Sequence, residues 1–429
     1  MARAESHLAV SEVAAGSAHL TKGMENWQRA CALASAVVLG LTLVAASSAE
    51  EQTLTVLYNF KGSPDGSTPV AGLVRDAAGN LYGTTNVGGN NNGTVFEVTS
   101  QGTEKILHTF KGNPDGSQPW AGLVQDAAGN LYGTTAYGGA FNFGTVFKVT
   151  KAGKERVLYS FRGAPDGATP FAGLIRDSAG NLYGTTLHGG SGSCNGGGAQ
   201  GCGTVFMLSA GGTETVLYSF AGGTDGERPA AGLVRDSAGN LYGTTVEGGG
   251  TNCSDPFVNG CGTVFMISNA GSETILHSFT GNPTDGEGPF SSLIIGANGN
   301  LYGTTMMGGA YTYGTVFELT ITGTETVLHS FGAGSDGKSP AAGLIQDRRG
   351  NLYSTTEVGG GTGCAGNGCG TVFRLTKTGK ETVLVAFPDT SGGSIPFAGL
   401  IPDTAGNLYG TTSNGGTSGG PGIVFKLTP

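Results

Sequence analysis

The sequence predicts an all-β protein folded as a seven-bladed β-propeller of four-stranded antiparallel blades, and three observations support this prediction. The stretch Gly79–Thr85 returns with little change from Gly129, Gly180, Gly239, Gly299, Gly350 and Gly406. Runs of β-branched and aromatic residues alternate with turn sequences, and no apolar stripe has helical spacing. Repeats of about 50 residues that contain four short strands are typical of propeller blades. The two ends of the chain are also offset by one strand within the repeat.

Each repeat contains four predicted strands, which we name A to D. In the first repeat they are Ala71–Arg75, Leu81–Thr85, Thr94–Thr99 and Glu104–Phe110. The hairpin between A and B, Asp76–Asn80, carries a glycine where a left-handed residue is needed. Small residues begin strand A in most repeats, which suits the innermost strand because the blades converge there.

The offset between the chain ends predicts how the ring closes. Strands of type D end at seven phenylalanines, and the first of them, Phe60, precedes any strand of type A. The last strand, Ile423–Leu427, is of type C. Pairing Leu54–Phe60 beside Ile423–Leu427 completes the seventh blade and leaves no unpaired strand edge. An open β-solenoid is the alternative fold, but it does not explain the offset.

The first 49 residues predict an N-terminal extension and a secretory signal peptide. An apolar run, Ala30–Ala46, follows Arg29 and ends in small residues, with cleavage expected after Ala49. The run is shorter than the roughly 20 apolar residues of a spanning helix. We expect translation to start at Met24, close to the apolar run, and the propeller to occupy residues 53–429.

Composition and charge restrict the partners. The 81 glycines recur at fixed places in the repeat, as glycines do when they supply tight turns. A net charge of −9 disfavours nucleic acid and anionic membrane surfaces, because both attract a positive face. We therefore expect an acidic, soluble, exported monomer with no membrane span after removal of the signal.

The repeat Gly72–Thr85 (GLVRDAAGNLYGTT), followed by Gly-Gly, Gly-Thr-Val-Phe and Leu-x-x-Phe, resembles the bacterial GloVer repeat of the choice-of-anchor tandem repeat family. The resemblance covers about residues 53–429. It implies an exported bacterial repeat protein, often held at the surface by a C-terminal anchoring signal. This chain ends at Lys426–Pro429 without an apolar tail, so we expect secretion or periplasmic residence, with cell-surface association as the alternative. The family has no established activity, so the resemblance implies no catalytic residues.

The cysteines predict disulfides in three loops. Cys31 belongs to the leader, and the other six form three local pairs in loops between strands B and C. An even count in an exported chain favours disulfides, and proximity favours local pairing. These pairs are Cys194 with Cys202, Cys253 with Cys261, and Cys364 with Cys369. A zinc site of four thiolates from the first two loops is the alternative.

A binding site is expected on the face that carries the B–C and D–A loops. These connections emerge at the same end of a meander, and they are the long and variable ones. The candidate binding residues follow the Thr-Thr pair or lie in the same loops: Tyr137, Phe141, Phe143, His188, Glu247, Met307, Tyr311 and Tyr313. Aromatic side chains there could stack on a glycan or grip a peptide. The alternative is that these aromatic residues pack against neighbouring blades.

Catalytic and metal-binding patterns are sparse. The aspartates of the Asp76 and Asp65 series recur once per repeat, far short of the roughly six to eight oxygens that calcium takes, so we interpret them as turn caps. The Asp65 series lies on the loop face and could jointly bind cations. His108, His277 and His329 share one place in strand D, which marks them as structural. His188 and Glu247 are the one candidate acid/base pair. We expect no metal and no cofactor.

These observations favour an exported, non-enzymatic module that binds a protein or a glycan through its loop face. One alternative is a propeller enzyme, a lyase, lactonase or glycosidase, with its site on the same face. The other is a structural component of the cell surface.

Overall fold

The computed structural model describes residues 52–194, 201–250, 253, 259–332, 335–388, 392–416 and 420–428. Within them the chain forms seven four-stranded antiparallel sheets, which are the blades of a seven-bladed β-propeller. The predicted leader, with its start at Met24 and its cleavage after Ala49, lies outside the described residues. In the described part of the chain, no helix is long and apolar enough to cross a bilayer.

The blades repeat one set of strand bounds, and blade 7 ends with the N-terminal strand. The A strands are Val74–Arg75, Val124–Gln125, Ile175–Arg176, Val234–Arg235, Ile294–Ile295, Ile345–Gln346 and Ile401–Pro402. The B strands are Leu81–Thr85, Leu131–Thr135, Leu182–Thr186, Leu241–Thr245, Leu301–Thr305, Leu352–Thr356 and Leu408–Thr412. The C strands are Thr94–Val98, Thr145–Val149, Thr204–Leu208, Thr263–Ile267, Thr315–Leu319, Thr371–Leu375 and Ile423–Thr428. The D strands are Glu104–Thr109, Glu155–Ser160, Glu214–Ser219, Glu273–Ser278, Glu325–Ser330, Glu381–Ala386 and, in blade 7, Thr53–Asn59.

Three blades add a pair of two-residue strands that joins the D–A loop to the B–C loop. These pairs are Gly167–Ala168 with His188–Gly189, Gly286–Glu287 with Met307–Gly308, and Gly337–Lys338 with Val358–Gly359. Single β-bridges occupy the same place in the other four blades, for example between Ser117 and Tyr137. Short 3₁₀ turns span Gly223–Asp225 and Cys364–Gly366.

The N-terminal strand closes the ring, as the offset of the chain ends predicts. Thr53–Asn59 pairs antiparallel with Ile423–Thr428, and the sheet order places it outermost in blade 7. Beyond the strand, the Phe60 amide donates to the Gly422 carbonyl at 3.0 Å. The two terminal strands thereby pair with each other, so the last C strand presents no unpaired edge on which another chain could associate. The alternative of an open solenoid is wrong.

The core lies between the blades. The phenylalanine that ends each D strand meets the central phenylalanine of the next blade's C strand edge to face, with ring centroids 5.0 to 5.3 Å apart. Phe60 with Phe96 and Phe110 with Phe147 are the first two of seven such contacts. Each is worth about 0.5–1.5 kcal/mol beyond the burial of its area. The same contact therefore holds every blade to its neighbour.

Strand A is shorter than the sequence predicts. Of the expected Ala71–Arg75, only Val74–Arg75 pairs with strand B. The preceding segment turns to the neighbouring blades instead, and the Ala121 carbonyl accepts a hydrogen bond from Thr84 Oγ1 of the preceding blade at 3.0 Å. Backbones approach closely here, because a Cβ atom on Gly122 would lie 3.0 Å from the Gly72 carbonyl oxygen. The segment that precedes strand A therefore contacts the neighbouring blades around the axis and does not pair within its own sheet.

Candidate functional site

The face formed by the A–B hairpins and C–D turns is closed by local hydrogen bonds. Asp76 accepts bonds from the Asn80 amide at 2.9 Å, from Asn80 Nδ2 at 3.0 Å and from the Tyr82 hydroxyl at 3.1 Å. The same arrangement recurs at Asp126, Asp177, Asp236, Asp347 and Asp403. Burial opposes their charge, but these donors outweigh it and hold the pKa of each carboxyl below its usual value. These aspartates cap turns.

Blade 5 lacks this aspartate and replaces it from another strand. Gly296 stands at the aspartate position, and Glu318 Oε1 instead accepts bonds from Tyr302, Asn298 and Asn300. Its pKa is lowered by these three donors against the opposing effect of burial. In blade 5 the carboxylate that binds the hairpin therefore comes from strand C instead of from the hairpin itself.

The loop face rests on a ring of left-handed residues. One residue in each D–A loop has φ between 53° and 64°, and six of the seven are not glycine. They are Thr68, Gln118, Thr169, Arg228, Gly288, Ser339 and Ile395. The amide of each donates to a B–C loop carbonyl of the preceding blade at 2.8 to 2.9 Å. Such backbone strain persists where the surroundings fix it, and it concentrates at ligand sites.

Four aromatic side chains meet near the axis on the loop side of the A segments. Trp120 stacks on Phe171 with centroids 4.8 Å apart, and edge-to-face contacts of 5.9 Å link Phe171 to Phe290 and Phe290 to Phe397. Phe171, Phe290 and Phe397 belong to blades 3, 5 and 7, so their rings reach past the intervening blades. Alanines at the equivalent positions of blades 4 and 6 leave room for them. We call these four residues the axial aromatic cluster; all four are half-buried.

The axial aromatic cluster was not predicted from the sequence, although the sequence contains a signal for it. The seven residues that directly precede the small pair of each A segment are Val70, Trp120, Phe171, Ala230, Phe290, Ala341 and Phe397. Large aromatic residues at four copies of a position beside the narrowest part of the fold indicate a filled axis. Comparing the repeats position by position would have found them.

The predicted loop aromatics divide into exposed and packed residues. Phe141 is 50% exposed and Tyr311 is 51% exposed. Phe143 and Tyr313, two residues further on in each loop, pack against the core between blades. The guanidinium of Arg162 lies 5.6 Å from the Phe141 ring centroid. Packing between blades thus explains one aromatic residue of each loop and leaves the other in solvent.

Arg228, which was not predicted as a site residue, binds Glu247 and lies close enough to His188 for its charge to act on the imidazole. Arg228 Nη1 donates to Glu247 Oε1, and the Glu247 side chain is buried. Burial and the nearby Arg228 charge lower the pKa of His188 to about 4, so its imidazole is neutral at pH 7. His188 Nδ1 is buried without a hydrogen-bond partner. Tyr137 and Met307, at the same loop position in their own blades, are half-buried.

The three predicted cysteine pairs are disulfides: Cys194–Cys202, Cys253–Cys261 and Cys364–Cys369. The second cysteine of each pair is fully buried, and its carbonyl accepts the amide of the next blade's left-handed residue. The disulfides therefore fix the long loops against the neighbouring blade. Because all six sulfurs are bonded, the four-thiolate zinc site is excluded.

The Asp65 series does not converge on a common site. Each aspartate is held by a side chain of its own D strand, as Asp65 is by the Tyr58 hydroxyl at 2.9 Å and Asp115 by His108 Nε2 at 3.1 Å. His277 and His329 bind Asp285 and Asp336 in the same way. The three histidines of the D strands therefore pair with these aspartates, and within the described residues no group of potential metal ligands combines two aspartates of the series.

A cavity of about 590 Å³ opens on the hairpin face, opposite the predicted binding face. The A strands of blades 3, 4 and 5 line it, including Ile175, Arg176, Val234 and Arg235. It contains none of the residues predicted to bind a ligand.

The fold and the sevenfold repeat define the chain as a β-propeller repeat protein. Residues 43–257 and 250–429 match the model of the Gloeobacter/Verrucomicrobia repeat, and the chain belongs to that family. No curated protein matches the sequence significantly.

Two solved structures from B. thetaiotaomicron share the fold. One is the extracellular domain of a protein described as a one component system, with 11% identity and a TM-score of 0.52 over 88% of this chain and 40% of that one. The other is the extracellular domain of a hybrid two component system, with 12% identity and a TM-score of 0.51 over 88% and 41% of the two chains. This chain thus spans about two fifths of the length of either structure.

Proposed function

We propose that the chain is an exported, non-enzymatic binding module that takes a glycan through its loop face. The observation that carries this proposal is the placement of aromatic side chains there. Phe141 and Tyr311 are half exposed on loops of blades 2 and 5, and the axial aromatic cluster lies half-buried toward the same end. Polar or charged residues at these places would not offer flat apolar surfaces.

Aromatic rings bind sugars because the apolar face of a pyranose ring packs on a flat π-surface while its hydroxyl groups reach polar neighbours. Trp120 and Phe171 stack on each other with their planes 25° apart, so a sugar would pack on the outer face of the Trp120 ring. Arg228, Glu247 and His188 are polar groups on the same face. The left-handed ring beneath fixes the loops, so the face is preorganised for binding.

An extracytoplasmic location agrees with this proposal. Three disulfides hold the B–C loops of blades 3, 4 and 6. Such bonds persist in oxidising compartments and are rare in the cytosol. The apolar run with small residues up to Ala49 supports export through a cleaved signal.

A glycan array probed with the oxidised chain from residue 50 tests the proposal. We expect binding to a restricted set of glycans, and at least a tenfold loss of affinity in Phe141→Ala, Tyr311→Ala or Trp120→Ala. Ile321→Ala is the matched control, because Ile321 is 57% exposed but lies in a C–D turn on the other face. Equal loss in the control, or no glycan bound at all, would refute the proposal. Protein capture at the same residues would support a protein ligand, and ligand-free self-association a surface component.

The alternative of a lyase, lactonase or glycosidase rests on His188 and Glu247, which Arg228 brings into one cluster. We expect His188→Ala and Glu247→Ala to weaken glycan binding without abolishing it, because polar groups of the face are lost, and to abolish no turnover. Assays of the wild-type chain against lactone and polysaccharide substrates provide the comparison. Turnover that disappears in both variants would establish the enzyme instead.

A further inference from the structure

Three potential metal ligands meet on the outer side of the ring, between blades 1 and 2. His108 lies near the end of strand D of blade 1, Asp115 lies in the loop that follows, and Glu155 begins strand D of blade 2. One donor atom from each lies within 4.8 Å of the other two. Imidazole and carboxylate groups are common zinc ligands. None of the three is among the residues proposed to bind the glycan, so the two proposals are independent.

Two oxygens of this cluster are buried without a hydrogen-bond partner. Asp115 Oδ2 accepts both His108 Nε2 and the Lys111 amide, at 3.1 Å each. Asp115 Oδ1 and Glu155 Oε1 are buried and accept no bond. Buried polar atoms are nearly always satisfied in native proteins, so two adjacent unsatisfied oxygens indicate a missing cation or proton.

The equivalent clusters between other blades show what distinguishes this one. Both oxygens of Asp285 and of Asp336 accept hydrogen bonds. Asp285 Oδ1 accepts the Gly286 amide at 2.7 Å beside His277 Nε2, and Asp285 Oδ2 accepts the Thr280 amide at 2.9 Å. Asp336 Oδ1 accepts the Gly337 amide at 2.8 Å. Asp115 Oδ1 receives no such bond, and the unpartnered glutamate oxygen recurs at the equivalent residue of other blades. Asp65 Oδ1 also lacks a partner, but a tyrosine, Tyr58, stands there in place of the histidine. In the described part of the chain, the cluster of His108 thus combines a histidine with an unpartnered aspartate oxygen. Within the described residues, one other group of three ligands comes as close, and two of its members are the bonded cysteines 194 and 202.

We propose that His108, Asp115 and Glu155 bind a divalent transition-metal ion of the zinc type, which joins blades 1 and 2. Zinc bonds to nitrogen and carboxylate oxygen at about 2.0–2.2 Å, so its ligand atoms surround one point. The three donor atoms lie within 4.8 Å of one another, and small side-chain movements bring them around a single ion. His108 Nε2 then bonds the metal instead of Asp115, and water completes the coordination. Calcium fits less well, because it takes roughly six to eight oxygen ligands.

Titration of the chelator-treated, oxidised chain with zinc chloride at pH 7, followed by calorimetry, tests this site. We expect one zinc ion per chain and a higher melting temperature with zinc. His108→Tyr should weaken zinc binding at least tenfold and abolish the thermal shift. This variant is compatible with the fold, because Tyr58, Tyr159 and Tyr218 occupy the same place in other blades.

The matched control is His277→Tyr, the same substitution in a cluster whose aspartate is satisfied. It should bind zinc like the wild type. Glu155→Gln supplies an independent variant that keeps the side-chain shape and should also lose zinc. Absence of saturable zinc binding, or binding unchanged in both His108→Tyr and Glu155→Gln, overturns the proposal and assigns the buried oxygens to a shared proton.

Discussion

Replacing Glu325 with glutamine should stabilise the propeller at pH 8 and have little effect at pH 4.5. Glu325 begins strand D of blade 5 and faces Asp285, and its Oε1 atom is buried without a partner. Burial, and then the Asp285 charge, raise the pKa of Glu325 to about 7, against the opposing charge of His277. The folded state therefore holds this proton more tightly than the unfolded state. Its stabilisation is complete below pH 4.5 and is lost as the pH rises through about 7.

The magnitude follows from the change in proton affinity. A rise of the pKa from 4.5 to about 7 corresponds to a ceiling of about 3.4 kcal/mol, since each tenfold change in affinity is worth ~1.36 kcal/mol. The side chain is only partly buried, and solvent screens its interactions, so we expect ~1–2 kcal/mol. Glutamine removes the charge and keeps the shape. Glu104, Glu214, Glu273 and Glu381 have the same raised pKa, so the wild type should weaken over the same range.

Urea denaturation at pH 5 and pH 8, followed by circular dichroism, measures this effect. The control is Glu318→Gln, whose carboxylate accepts three hydrogen bonds and has a lowered pKa. It should destabilise the chain at pH 8 by ~1–2 kcal/mol, because the bonds to a charged acceptor are lost. A Glu325→Gln variant no more stable than the wild type at pH 8 would refute the reasoning, as would a wild type whose stability rises between pH 5 and 8.

Two further predictions concern the axis and the closure of the ring. Gly122→Ala should lower the free energy of unfolding by ~1–3 kcal/mol, because the new Cβ meets the Gly72 carbonyl oxygen at 3.0 Å; Gly211→Ala, in an open turn, should change it by less than ~0.5 kcal/mol. Equal values for the two variants in denaturant titrations would contradict this account. Deleting Thr53–Asn59 should expose the edge of Ile423–Thr428 and cause self-association, visible by light scattering. A monomeric, equally stable deletion variant would show that closure contributes little.

Much of the fold could be predicted from the sequence because the repeat is specified locally. Glycine at the left-handed hairpin position, alternating β-branched residues and a phenylalanine at the end of each D strand recur in every copy or nearly so. The one-strand offset predicted the pairing of Thr53–Asn59 with the last C strand, and the structure confirms it. Strand A was the exception. Its first residues form hydrogen bonds with the neighbouring blade instead of with strand B, and the sequence of a single repeat does not show such contacts.

The site was less predictable, because its properties depend on contacts between residues that are far apart in the sequence. Exposure divides Phe141 from Phe143, two residues apart, and only the packing of each loop on its D–A neighbour decides which ring is buried. Arg228 lies far from His188 in sequence, yet its charge lowers the histidine pKa and its guanidinium binds Glu247.

The sequence by itself determined the blade, its number and the closing strand, because these depend on turns and periodicity within about 50 residues of chain. The tertiary structure alone decided what meets across blades: the axial aromatic cluster, the unsatisfied oxygens of Asp115 and Glu155, and the link between Arg228 and Glu247. Those contacts depend on the relative placement of whole blades. Side chains from different repeats come together there, and no local pattern records which ones.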